Sequence, residues 1–130
     1  MEIWQINPKV SVGPLALNAF ARDLEPALGS EYDRFSRGIN EVLAYDSLGI
    51  HVEIEQDGQV RAISVFLPCQ VSLQGVGLLG HEVSKVKRDL DNAGCLFKPV
   101  DAGLWSEGLL VMLVEQDGVI DGVEVRRVPY

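Results

Sequence analysis

Apolar and polar residues alternate with a period of two through the middle of this chain. Ile50, Val52 and Ile54 interleave with His51, Glu53 and Glu55, the pattern of an antiparallel strand with one face buried and the other solvated. Residues 41–45, 60–67, 109–115 and 119–128 are further apolar-rich runs that read as strands. Helical spacing replaces alternation in two places. Asn18 is a good N-cap before residues 19–28, where Phe20, Leu24 and Leu28 fall at i, i+4 and i+8 and Gly29 supplies the stop. Pro26 lies inside that stretch, and a proline in a helix interior costs about 3 kcal/mol, so this helix is predicted to be short, kinked or split near Glu25. A second helix is predicted over 81–93, with Val83, Val86 and Leu90 inward and Gly94 after its end. Residues 30–40 read as a loop or a single turn around Tyr32 and Phe35, and 95–104 as a connection or short strand.

The pattern occurs twice. Glu-Gln-Asp-Gly occupies 55–58 and again 115–118, 60 residues on. At that offset Tyr45 aligns with Trp105, Ile50 with Leu110, Ile54 with Val114, Val60 with Ile120, Ile63 with Val123 and Val65 with Val125. Upstream, Val-Ser-Val-Gly-Pro-Leu at 10–15 is echoed by Val-Ser-Leu-Gln-Gly-Val-Gly-Leu-Leu at 71–79. Such self-similarity marks two copies of one supersecondary unit, here about 10–67 and 71–128, inside a chain whose 130 residues make one domain. Asp57-Gly58 predicts a two-residue hairpin, because a type I′ turn needs positive φ at both central positions. Each copy reads as helix, connection, then antiparallel meander. The expected fold is therefore α+β, two tandem helix-plus-meander repeats forming one sheet with the helices packed on one face.

Composition narrows the function. With 47% hydrophobic residues the chain can bury a substantial core. The N-terminus lacks a basic segment followed by an apolar one, and the longest apolar runs fall far short of a membrane span, which predicts a cytoplasmic protein with no membrane partner. Cys69 and Cys95 have no metal-type spacing and read as reduced thiols. The net charge is −8, with ten carboxylates against five cations in residues 1–66 and nine against six in 67–130. This balance argues against a nucleic-acid backbone as ligand and allows a basic protein partner, since opposite fields speed encounter, although charge alone fits an ordinary acidic protein as well.

Catalytic chemistry has little to stand on in this sequence. Gly75-Val-Gly77-Leu-Leu-Gly80 fits the dinucleotide-binding spacing, with Asp101 further on. The strand before it is short, Asp101 is 26 residues past the first glycine where about 20 is usual, and the other copy keeps only Gly13. A turn is the better reading, with a nucleotide or small-ligand module as the alternative. His51 and His81 lie in different contexts, no His-x-His, Cys-x-x-Cys or His-Glu-x-x-His offers metal ligands, and no Gly-x-Ser-x-Gly nucleophile elbow occurs. Glu53 and Glu55 read as a solvated strand face. The sequence thus predicts no enzyme, no cofactor and no metal.

Val-Gly-Pro-Leu at 12–15, a helix closing on Leu28-Gly29, and Tyr-Asp-Ser-Leu-Gly-Ile-His-Val-Glu-Ile-Glu-Gln-Asp-Gly-Gln-Val at 45–60 together resemble the BamE/SmpA-like unit. Two units in tandem resemble the β-lactamase-inhibitor-protein fold, and the resemblance covers nearly the whole chain. It implies binding of a partner protein across the open sheet face. Bacterial cytosolic immunity proteins that neutralise a cognate toxin include small acidic α+β domains of similar kind. The outer-membrane relatives carry a lipoprotein signal, which is not seen here, so the resemblance points away from envelope assembly.

Differences between the copies locate the candidate site. On the outer face the central strand carries His51 and Glu53 in the first copy and, at the 60-residue offset, Val111 and Leu113 in the second. Exposing an aliphatic side chain forgoes about 1.5–3 kcal/mol of burial, so something covers Val111 and Leu113: a loop of the chain, a homodimer contact, or a docked partner. The last strand of each copy adds Ser64 and Phe66, then Glu124 and Arg126, and aromatic and arginine residues are the usual interface anchors. The parity of 60–62 and 63–67 disagrees, which predicts a bulge. Trp4 and Trp105 are further candidate anchors. The expected function is a non-enzymatic inhibitor, an immunity protein binding a basic toxin through His51, Glu53, Ser64, Phe66, Val111, Leu113, Glu124 and Arg126. A homo-oligomeric structural domain is the remaining alternative.

Overall fold

The computed structural model describes residues 2–130. Strands dominate it: β1 (Ile3–Asn7), β2 (Ser11–Val12), β3 (Leu15–Ala16), β4 (Asp33–Arg37), β5 (Asn40–Tyr45), β6 (Ile50–Ile54), β7 (Val60–Val65), β8 (Gln70–Leu73), β9 (Val76–Gly77), β10 (Lys98–Val100), β11 (Gly103–Ser106), β12 (Val111–Gln116) and β13 (Val119–Arg126). They form a five-stranded sheet, β3-β2-β1-β8-β9, and an eight-stranded sheet, β10-β11-β12-β13-β7-β6-β5-β4. One hydrophobic core joins them, with Ile6, Val12, Leu15, Val71 and Leu73 of the small sheet facing Leu43, Val52, Ile63, Val65, Leu104, Val111, Leu113, Val123 and Val125 of the large one.

The α+β expectation is overturned. The fold is mostly β, with two sheets where one was expected and only two short helices, α1 (Glu25–Leu28) and α2 (Val83–Asn92). The layer opposite the large sheet is built largely from strands, so helices on one sheet face do not describe this molecule. The helix-over-sheet arrangement implied by the BamE/SmpA-like resemblance is corrected with it. The physical reasons are local. Residues 10–17 and 70–77, read as lead-ins to helices, close into hairpins at Gly13-Pro14 and Gln74-Gly75, where φ is positive at Gly13, Gln74 and Gly75. Pro26 stands at the start of a single α-helical turn, preceded by a 3-10 turn at Ala21–Leu24 whose cap is Phe20, not Asn18. Residues 33–37 form a strand where a loop was expected. Every residue of it is exposed, so no buried face marks it in the sequence.

α2 follows its apolar spacing, with Val86 and Leu90 buried and Lys85–Asp89 and Lys87–Asp91 paired one turn apart at 2.8 and 2.9 Å. Each helical segment is stapled to the following hairpin in the same way. The Gly58 carbonyl accepts the amide of Ala21, and the Gly118 carbonyl accepts that of Val83, both at helix starts where amides lack intrahelical partners. Val60 and Ile120 donate to the carbonyls of Ala19 and His81 beside them.

The large sheet consists of two four-stranded meanders joined where β7 pairs antiparallel with β13. Val65 opposes Val123, Ser64 opposes Glu124 and Ile63 opposes Val125. With 60 subtracted from the second copy this register is symmetric about Ser64, so a pseudo-two-fold axis passes between Ser64 and Glu124. The same symmetry runs through the small sheet. There β1, which has no counterpart in the second copy, pairs antiparallel with β2 and parallel with β8. A single strand between two hairpins related by a two-fold must run with one and against the other.

The identical tetrapeptides make different turns. At Asp117 and Gly118 φ is +53° and +80°, and Gln116 opposes Val119, the expected two-residue type I′ hairpin. At 55–58 only Gly58 has positive φ; Gly58 donates to the Glu55 carbonyl and Glu55 to that of Gln59, a three-residue loop built on a type I turn. The two-residue reading of Asp57-Gly58 is therefore corrected. One extra residue in the first loop shifts the preceding strand, so Ile50 corresponds to Val111 and Glu53 to Val114, an offset of 61. A one-residue slip moves a whole strand's side chains to the other face. The bulge expected from the parity of 60–67 does occur, with Arg61 as the extra residue of β7, and β13 carries its counterpart at Asp121.

A type I turn accepts proline at its second position. Gln56→Pro is therefore expected to leave stability within about 1 kcal/mol, whereas Asp117→Pro, at φ +53°, should cost more than about 3 kcal/mol. Urea unfolding monitored by tryptophan fluorescence separates the two; equal losses would refute the assignment of two turn types.

Candidate partner-binding face

The solvent side of the large sheet is ordered by its register. Asp33, Ala44, His51, Ser64, Glu124, Met112, Trp105 and Lys98 lie in one row across all eight strands, crossing the pseudo-two-fold axis at Ser64 and Glu124. At ~4.8 Å per strand the row spans about 34 Å. A second row holds Phe35, Val42, Glu53, Ala62 and Arg126. Its symmetry mate holds Val100, Gly103, Val114 and Gly122, and it ends on the Phe66 ring, which lies over Gly122; a Cβ there would come within 3.0 Å of the ring.

Six of the eight residues selected from sequence, namely His51, Glu53, Ser64, Phe66, Glu124 and Arg126, share this face. Val111 and Leu113 do not. Each is fully buried in the core between the sheets, because the 61-residue offset puts them on the inward side of β12. The outward positions of β12 are Met112 and Val114, both half-buried. The Tyr45–Trp105 match fails for the same reason: Tyr45 is a core residue, and the counterpart of Trp105 is Ala44. The polar-to-apolar contrast between the copies survives once the residues are corrected. His51 and Glu53 face out in one half of the sheet, Met112 and Val114 in the other, with Val100 beyond. The two Glu-Gln-Asp-Gly turns are identical in sequence, so their own residues carry no signal of the extra loop position.

Glu53 is not a solvated carboxylate. It is 7% exposed and accepts from Asn40 Nδ2 at 3.1 Å and Arg37 Nη1 at 3.4 Å, with Arg61 Nε at 3.8 Å. Burial of a carboxylate is costly unless it is paired, and this cluster supplies the pairing. Glu55 continues it, accepting from Arg61 Nη1 at 3.3 Å and from Arg127. Around the axis, Arg126 donates through Nη1 to Glu124 at 2.9 Å and through Nε to the Val128 carbonyl at 2.9 Å. The Tyr130 ring lies 4.0 Å from the Arg126 guanidinium and 5.2 Å from Trp105, and its hydroxyl donates to Glu124 at 2.8 Å. His51 pairs with Asp46 at 2.8 Å and sits between Phe35 and Phe66 at ring distances of 6.0 and 5.0 Å, both edge-on. These contacts hold the side chains in place before any partner arrives.

Other candidates resolve locally. Gly75 belongs to the β8–β9 turn, Gly77 lies in β9, and α2 starts at the N-cap Glu82 with the Val83 amide already bonded to the Gly118 carbonyl, so the glycines do not form a phosphate-binding turn running into the helix. Cys69 and Cys95 are free thiols, each with its pKa pushed up by burial. Among the described residues no group of three or more His, Cys, Asp or Glu side chains could hold a metal ion, and no helix is long and apolar enough to cross a membrane. No family model, curated protein or solved structure matches the chain.

Desolvation, and then the Glu124 carboxylate, push the Tyr130 phenol well above its ordinary 10.0. The proton is held more tightly in the folded state, so this contribution to stability is whole below pH 10 and falls away as pH rises through the folded value. An absorbance titration of wild type minus Tyr130→Phe is expected to show a phenol midpoint above 10. A midpoint at 10 would mean that Tyr130 is not seated against Trp105 and Glu124.

Proposed function

We propose that this chain is a non-enzymatic inhibitor that covers a partner protein with the outer face of its eight-stranded sheet, and that the partner is a basic toxin, neutralised in the bacterial cytoplasm. The observation that carries the reading is the asymmetry of that face. Two halves related by a pseudo-two-fold differ most where they point to solvent, His51 and Glu53 answering to Met112 and Val114, and Phe66 to Arg126. Outward positions are free to diverge, and here they have diverged so as to set half-buried apolar side chains, Met112 and Val114, on the solvent side of the sheet. The pre-ordered aromatic and arginine side chains are of the kind that anchor interfaces, and held rotamers reduce the ordering cost of association. The charge of −8 favours a basic partner by long-range steering.

Affinity capture from the native host should recover a basic protein forming a 1:1 complex, and co-expression of this chain should restore growth to cells poisoned by that protein. Met112→Asp, at a half-buried position on the face, is expected to weaken the complex by at least about 100-fold, in the range of an interface hot spot, with the unfolding midpoint little changed. A partner whose binding ignores both Met112→Asp and Ser64→Arg would rule out the sheet face, and a partner that is harmless when expressed alone would rule out the immunity role.

A further inference from the structure

The symmetry of the fold fails in one further place, on the side away from the outer sheet face. β1 has no counterpart in the second copy, and α1 has four residues where α2 has ten. Between them lies an open cleft of about 370 Å³, lined by Trp4, Leu28, Leu48, Ile50, Pro68 and Cys69, with Glu2, Ser47 and Gln70 also bordering it. That volume is in the range of small-molecule sites. No lining residue belongs to the outer face of the large sheet. Leu48 is 40% exposed at its edge, whereas its counterpart Leu109 packs against the core. The cleft thus opens beside the shorter helix, with Leu48 at its edge.

Two features give the cleft chemical character. Gly13 has φ +54°, and a Cβ there would lie 2.5 Å from the Trp4 ring, so the indole is seated against bare backbone on one side while it lines the cleft. Trp4 Nε1 donates to Glu2 Oε1 at 3.0 Å, which ties a carboxylate to the edge of the same indole. Among the described residues Glu2 is the one carboxylate of the lining, and burial pushes the pKa of the Cys69 thiol up. An indole and a carboxylate side by side above an apolar floor are complementary to an ammonium on a hydrocarbon body.

We propose that this cleft binds a small amphiphilic amine, its apolar body against Leu28, Leu48, Ile50 and Pro68 and its ammonium on the Glu2 carboxylate oxygen that the Trp4 hydrogen bond leaves free, beside the open face of the indole. The site is independent of the partner-binding face and does not rest on the inhibitor reading. Hexylamine, hexan-1-ol and hexanoate share one apolar body and differ in head-group charge. Titrated into the full chain and followed by amide shifts in NMR, hexylamine is expected to saturate with shifts centred on Leu48, Cys69 and Gln70. Hexan-1-ol should bind about tenfold more weakly, a difference of about 1.4 kcal/mol, and hexanoate should not saturate. Glu2→Gln should bring amine and alcohol level, and Leu48→Trp, which fills the cleft from an exposed position, should remove both while the remaining amide spectrum stays folded. Equal affinity for amine and alcohol in the wild type would overturn the ammonium site. Shifts centred elsewhere, or no saturation by hexylamine, would overturn the cleft as a binding site.

Discussion

The pairing of β7 with β13 is the contact on which the architecture depends. Each four-stranded meander has an outer edge and an inner edge, and the inner edges are the strands that follow the Asp-Gly turns. Joining them antiparallel, with Ser64 opposite Glu124, makes one eight-stranded sheet and sets the axis that relates its halves. The apolar inward faces of both meanders then form a continuous floor, and the small sheet and the helical segments need only cover it. Orientation follows as well. Because the hairpins of the small sheet obey the same two-fold, β1 must pair parallel on one side, the one parallel ladder among the described residues.

Symmetry also organises the functional reading. Positions facing the core match closely between copies: Ile50 and Val111, Val52 and Leu113, Ile63 and Val123, Val65 and Val125 are all buried aliphatics. Packing tolerates little change there. Outward positions are under no such constraint, and there the copies part: His51 and Glu53 answer to Met112 and Val114, and Phe66 to Arg126. β1 and the shortened α1 depart from symmetry in a different way, by adding and removing whole elements. Divergence in side chains shapes a broad surface, and divergence in elements opens a cleft.

Strand alternation, the Asp-Gly hairpins and the spacing of Val86 and Leu90 were legible because each reflects a local preference or a single period. The fold class was not. Hairpins of two residues per strand leave almost no periodic trace, and the apolar residues of 10–17 and 71–79 suit a strand or an approach to a helix equally well. Six of the eight candidate site residues fell on one face because β7, β13 and β6 were aligned correctly within themselves or at offset 60. Val111 and Leu113 lie on the inward face because the identical tetrapeptides at 55–58 and 115–118 make turns of different length. The turn type depends on the strands that flank it as much as on its own four residues. Glu53 was misjudged differently: alternation shows which way a side chain points, and the guanidiniums of Arg37 and Arg61, distant in sequence, determine whether water reaches it.

The pairing of β7 with β13 also has a consequence in time. On the ribosome β7, with four of its six residues destined for burial, emerges more than fifty residues before the strand that will cover its free edge. At about 5–20 residues per second the gap lasts roughly 3–12 s. During that interval the nascent chain carries an apolar strand edge of the kind that seeds aggregation, and a polypeptide stopped near residue 66 would keep that edge permanently. The strand that makes the finished protein one body is thus the most exposed part of the unfinished one.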